Sequence, residues 1–120
     1  MKQSIKQSLP IEPDKFTEFE VQATIWTALR QMGFNARGEI KTRFVCERKR
    51  SCCRFDILVY KQDGDVLCII EIKSDKRKDL SNWSETRQGK RYAEFGVPVY
   101  LIHGMSHSLK FLANLPFENV

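Results

Sequence analysis

A length of 120 residues accommodates one compact domain and little more, because single cores commonly use roughly 100 to 200 residues. With 42% hydrophobic and 29% charged residues, the chain has enough apolar material for a core, which excludes disorder throughout. The formal net charge of +5 suits a polyanionic partner. The cations are clustered: Lys41, Arg43, Arg48, Lys49, Arg50 and Arg54 form one group, and Lys73, Lys76, Arg77 and Lys78 form another. No apolar run approaches the roughly 20 residues of a membrane span, and MKQSIKQSLP lacks a secretory apolar segment, so the expected location is the cytoplasm. Cys46, Cys52, Cys53 and Cys68 do not space like paired zinc ligands and are expected as thiols packed near a sheet, with a metal role the minor alternative.

Residues 1–15 are polar, hold Pro10 and Pro13, and read as a tail, so a single domain is expected over 16–120. Thr17 followed by Glu20 makes a capping box. Val21, Ile25, Ala28, Leu29 and Met32 then recur at helical spacing until Gly33. GEIKTRFVC suits a strand, and the charged ERKRSCC suits a turn. RFDILVY and VLCIIEIK are strands rich in β-branched and aromatic residues, joined through the hairpin signal Asp63-Gly64. The charged connection SDKRKDLSN leads to a helix over about Trp83 to Phe95, ended by Gly96 and Pro98. PVYLIHG then reads as a buried strand, and SLKFLANL as a short closing helix. The order α-β-β-β-α-β-(α) implies an α/β fold with a mixed sheet flanked by helices.

The chemistry concentrates in the hairpin. A two-residue Asp63-Gly64 loop sets Gln62 opposite Asp65, and counting back along the strands sets Asp56 opposite Glu71. Strand alternation puts Lys73 on the face of Glu71 and Leu58 on that of Asp56. Two facing carboxylates and an amine at the end of apolar strands are costly unless something compensates them. A divalent cation does so, since Mg²⁺ takes one or two carboxylates with waters and phosphates. The bland alternative is a Glu71–Lys73 ion pair at a sheet edge with Asp56 solvated.

Arg54-Phe55-Asp56-Ile57-Leu58 followed one hairpin later by Glu71-Ile72-Lys73 resembles the PD-(D/E)xK nucleases, although Phe55 stands where the motif has proline. The likeness runs from about Phe16 to Gly104 and implies a restriction-endonuclease-like fold. It is similar to the nuclease domains of type I restriction enzymes and to small junction resolvases. Gln88 and Tyr92 look like the family's Gln-x-x-x-Tyr element, placed one helical turn apart where they could reach a phosphate or brace Lys73. Glu18 is similar to the acidic residue of the first helix that often completes the metal site. It is expected to point inward with Val21 and Ile25, with Glu20 as its substitute. The resemblance implies Mg²⁺ or Mn²⁺ held by Asp56, Glu71, the carbonyl of Ile72 and indirectly Glu18. Lys73 would position the attacking water, and DNA would be the substrate.

His103, at a strand end, is expected to be partly buried and hydrogen-bonded, and His107 to lie in a loop. Without a partnered nucleophile they make a weak general-base pair. Trp26 and Trp83 read as helix-surface or core residues, with Trp83 able to stack on an unpaired base. Two other readings compete with hydrolysis. One is a catalytically silent nucleic-acid-binding module. The other is an accessory subunit of a larger restriction or repair complex, with a homodimer as a further option.

Overall fold

The computed structural model describes residues 16–46, 49–73 and 87–120; the expected tail over 1–15, the connection after Lys73 and Trp83 lie outside them. The elements are α1 (Glu18–Gln31), β1 (Asn35–Cys46), β2 (Lys49–Tyr60), β3 (Val66–Lys73), α2 (Arg87–Ala93), β4 (Val99–His103) and α3 (Met105–Ala113). They build an α/β fold on one four-stranded mixed sheet of order β1-β2-β3-β4. β1, β2 and β3 are antiparallel neighbours, and β4 lies parallel to β3 after the crossover through α2. No helix among the described residues is long and apolar enough to cross a membrane.

α1 forms where the sequence pattern sets it. The Thr17 hydroxyl accepts from the Glu20 N–H at 3.1 Å, and the Glu20 carboxylate accepts from the Thr17 N–H at 2.8 Å. Two otherwise orphaned donors are thereby satisfied. At the other end Gly33 takes φ 95°, its N–H donates to the Arg30 carbonyl, and the Phe34 N–H donates to the Leu29 carbonyl. This is the Schellman arrangement, in which a residue without Cβ adopts the left-handed turn. Val21, Ile25 and Leu29 are buried against Ile57, Val59, Cys68, Ile70, Ile72 and Ile102 of the sheet. Each such side chain contributes roughly 1.5 to 3 kcal/mol by leaving water. Phe111, Leu112 and Phe117 extend the same layer from the C-terminal segment, where Phe34 and Phe117 meet edge to face at 5.3 Å. Burial in this layer pushes the Cys68 thiol up to about 12, so it stays protonated.

A second, smaller layer forms from Phe55, Leu58, Ile69 and the buried Tyr92 of α2. Phe55 packs on Tyr92 and Phe95 with ring centroids 4.9 and 5.0 Å apart.

The hairpin between β2 and β3 differs from the expected two-residue loop. The Gly64 N–H donates to the Lys61 carbonyl, the Lys61 N–H donates to the Asp65 carbonyl, and Gly64 has φ 98°. This is a three-residue loop whose left-handed glycine sets the register one residue off. An irregularity between Val59 and Tyr60 restores it, so that Val59 faces Cys68, Leu58 faces Ile69 and Ile57 faces Ile70. Two offsets cancel, and the pairing deeper in the sheet is the one that the tight loop would have produced.

Other boundaries differ for physical reasons. Lys49 to Cys53, expected in a turn, belongs to β2, where it continues the antiparallel pairing with β1 out to Cys46↔Lys49. α2 is described only over Arg87–Ala93, the earlier part of the expected helix lying outside the described residues. β4 is mostly half-buried rather than buried, pairing among the described residues with β3 alone. α3 begins at Met105, so His107 is helical instead of in a loop.

Candidate active site

The two halves of the β2–β3 pair behave differently. From Ile57 toward the turn the strands pair; one position further, the same register would bring Asp56 beside Glu71. There a side chain takes over from the ladder, as the Asp56 carboxylate (Oδ2) accepts from the Ile72 N–H at 2.7 Å. The Ile72 nitrogen is bonded to the carbonyl carbon of Glu71, so the Asp56 carboxylate lies directly against the Glu71–Ile72 peptide. On the other side, β1 pairs with β2 at Gly38↔Ile57 and at Ile40↔Phe55, and the Asp56 carbonyl accepts from Gln22 Nε2 of α1 at 3.0 Å. Asp56 is therefore held at both its backbone and its carboxylate.

Ile72 packs in the α1 layer, and alternation directs Glu71 and Lys73 to the other side of the sheet, toward α2. Glu71 is 5% exposed. The Tyr92 hydroxyl donates to its Oε1 at 3.1 Å, and Lys73 Nζ stands 3.7 Å from its Oε2. A buried carboxylate needs such partners, since an ion stripped of water without them would be strongly disfavoured. The Lys73 side chain keeps 12% exposure, so the amine sits at the boundary between sheet and solvent.

The remaining expected residues divide. Glu18 is exposed rather than inward, because the first turn of α1 precedes the stripe that begins at Val21. Glu20 spends its carboxylate on the Thr17 cap. The Tyr92 hydroxyl donates to Glu71. Gln88 lies on α2, but its side chain is outside the described residues. Among the described residues, no group of three or more histidine, cysteine or acidic side chains could hold a metal ion. The two-carboxylate set of Asp56 and Glu71 still suits a hard cation, for each carboxylate oxygen has two lone pairs and Mg²⁺ commonly keeps several waters.

Gln22 was not legible as part of this site. It sits beside the apolar stripe of α1, and nothing in the sequence distinguishes it from a solvated glutamine. With Phe19, Ala23, Trp26 and Gly38 it lines a groove of about 380 Å³ on the α1 side of the sheet. Trp26 is held there by its indole N–H, which donates to the Ala36 carbonyl at 2.9 Å, and by the Arg30 guanidinium 5.1 Å from its ring.

His103 is exposed rather than partly buried, at a position of β4 that pairs with Lys73. Its N–H donates to His107 Nδ1 at 3.2 Å, and the two rings lie 5.0 Å apart. Burial, then the neighbouring His103 and Lys110, hold the His107 imidazole below its ordinary value of 6.5. An Nδ1 that accepts a hydrogen bond must itself be unprotonated, which agrees with that direction.

In comparisons with known proteins, no family model, curated protein or solved structure matches the chain.

Proposed function

We propose that this chain is a metal-dependent nuclease domain of the PD-(D/E)xK type that hydrolyses phosphodiester bonds in DNA in the cytoplasm, alone, as a homodimer or within a larger restriction or repair complex. The observation that carries this reading is the meeting of Asp56, buried Glu71 and Lys73 where the β2–β3 ladder gives way to a side chain. A carboxylate that accepts at 2.7 Å from the peptide N–H following a buried glutamate, itself paired with an amine, is expensive as architecture and useful as a site.

Asp56 and Glu71 would hold Mg²⁺ or Mn²⁺, with the Ile72 carbonyl as a further donor. Bound there, the ion would supply Lewis-acid stabilisation of the charge that develops on the phosphoryl oxygens. Lys73 orients the attacking water and offers positive charge to the phosphate. Tyr92 fixes the Glu71 carboxylate, and Gln22 fixes the Asp56 backbone, so neither acid has to reorganise when substrate arrives. Glu18, exposed as it is, stands at most as a contributor through water.

The test is cleavage of plasmid and oligonucleotide DNA in Mg²⁺ or Mn²⁺ by wild type, Asp56→Ala and Lys73→Ala. Activity that needs the metal and is lost in both variants supports the proposal. Undiminished metal-dependent cleavage by either variant overturns the catalytic roles of these two side chains. A second reading, the silent binding module, draws on the Glu71–Lys73 ion pair, which already satisfies much of Glu71. Titration calorimetry separates the two: heat from Mn²⁺ that disappears in Asp56→Ala belongs to the enzyme, whereas DNA binding without metal heat belongs to the module.

A further inference from the structure

We infer that His103 is a phosphate-contacting residue of the candidate site, its imidazole donating to a non-bridging oxygen of the phosphodiester that Lys73 attracts. β3 and β4 run parallel and end together, with Glu71 in register with Leu101 and Lys73 with His103. The packing on both strands shows which way these side chains go. On β3, Ile70 and Ile72 pack in the α1 layer and Ile69 in the layer of Tyr92; on β4, Tyr100 and Ile102 pack in the α1 layer and Val99 in that of Tyr92. Alternation therefore sets Glu71, Lys73, Leu101 and His103 on one face, the face from which Tyr92 donates to Glu71. Neighbouring strands lie about 4.8 Å apart, so His103 stands next to the residue whose amine flanks Glu71.

Exposure rises outward along this face. Glu71 is buried, Lys73 is half-buried and His103 is exposed, so a phosphate that reaches Lys73 from solvent passes the imidazole. Among the described residues the His103 ring meets the His107 ring, 5.0 Å away, and its nitrogens have no hydrogen-bond partner. Its backbone, by contrast, is fixed, because the His103 N–H donates to His107 Nδ1 at 3.2 Å. Half-buried His107 thus holds the end of β4 and leaves the donor of the His103 ring to a ligand.

The two residues divide the work on an anion. Lys73 brings a positive charge, part of which Glu71 already uses. The imidazole brings a directional donor, and it carries at least one N–H whether or not it is protonated, so the contact does not depend on titration. The place agrees with the chemistry, since ligands of open α/β sheets collect at the carboxyl ends of parallel strands, where Lys73 and His103 stand. The assignment rests on the nuclease reading above for its substrate, but the contact itself does not require hydrolysis.

The experiment has two arms. In the first, the histidine ring signals of wild type are followed by proton NMR in EDTA, where nothing is cleaved, as the dinucleotide thymidylyl-thymidine is added. Thymidine, which lacks the phosphate, is the control. The chain has two histidines, and the spectrum of His107→Gln assigns them. The His103 signals are expected to move with the dinucleotide and to stay in place with thymidine. In the second arm, His103→Leu is expected to lower kcat/KM for Mg²⁺-dependent DNA cleavage about tenfold, the size of one hydrogen bond to a charged group. His103→Gln keeps an N–H donor and should recover most of that loss. Both variants should melt like wild type, because the ring is exposed; a merely structural role would shift the melts and would not be rescued by glutamine. An unmoved His103 signal, an equal response to thymidine, or normal cleavage by His103→Leu overturns the inference. Should the variants fail to fold, the wild-type spectra decide alone. Metal-dependent cleavage that needs Asp56 and Lys73 but ignores His103 keeps the nuclease reading and removes the contact. A phosphate-dependent His103 shift in a protein that cleaves nothing does the reverse.

Discussion

The β2–β3 hairpin has two ends built from the same kind of sequence and put to different use. At the turn, Val59, Cys68 and their neighbours continue an unbroken apolar layer, and an irregular loop is absorbed by a compensating irregularity in the strand. At the far end, the ladder contact at Ile72 is made by the Asp56 carboxylate instead of by a backbone carbonyl. The first end tolerates imprecision because hydrophobic burial is non-directional and is satisfied once the correct face is covered. The second cannot, because each hydrogen bond there has one donor, one acceptor and a fixed distance.

If that contrast holds, substitutions at the two ends must differ in kind. The largest effect on stability is expected from Ile25→Ala, which opens a cavity over the apolar end and should cost about 2 to 5 kcal/mol in urea unfolding. Cleavage in surviving folded protein should be nearly normal, and a selective loss of activity would erase the distinction. Next in size, Asp56→Ala leaves the Ile72 N–H without its acceptor and should cost roughly 1 to 3 kcal/mol, along with all metal-dependent cleavage. Asp56→Asn keeps an acceptor oxygen, so it should recover most of the stability and none of the activity; equal destabilisation by both variants would mean that the hydrogen bond is not what holds this end.

Tyr92→Phe keeps the packing on Phe55 and removes one donor from buried Glu71, an expected loss of about 1 to 2 kcal/mol. Under the proposed function Tyr92 would act through Glu71, so cleavage should fall without vanishing; unchanged kcat and stability together would show that the hydroxyl is incidental. Thr17→Ala removes the helix cap far from the chemistry and should cost about 1 kcal/mol, seen in thermal melts with activity intact.

The smallest effect is a pH dependence. Burial, His103 and Lys110 depress His107 in the folded state, so the unfolded chain takes up this proton first. The associated stability is present above the ordinary value of 6.5 and is lost as pH falls through the lower folded value. Protonation at Nδ1 would also break the hydrogen bond from the His103 N–H. Urea melts on either side of 6.5 should therefore show a slope that His107→Gln flattens, and an identical slope in the variant would assign the dependence elsewhere.

Local signals were readable wherever a local cause was sufficient. The capping box at Thr17 and the left-handed Gly33 mark both ends of α1, since each needs only residues within a few positions. The Ile57, Leu58 and Val59 pairings were readable too, although through a loop of the wrong length. By contrast, the strand assignment of Lys49 to Cys53 was obscured by their charge, and the exposure of Glu18 by a helical face that continues on paper past the edge of the sheet.

By itself the sequence determined the order of elements, the apolar stripes and the proximity of Asp56, Glu71 and Lys73, because periodicity and short-range turns act along the chain. Only the tertiary structure decided that Gln22 and Tyr92 brace the two acids, that Glu20 is consumed by a cap, and that Asp56 stands in for a rung of the sheet. Those choices depend on which groups from distant segments arrive within about 3 Å of one another, a distance over which a hydrogen bond is either made or lost.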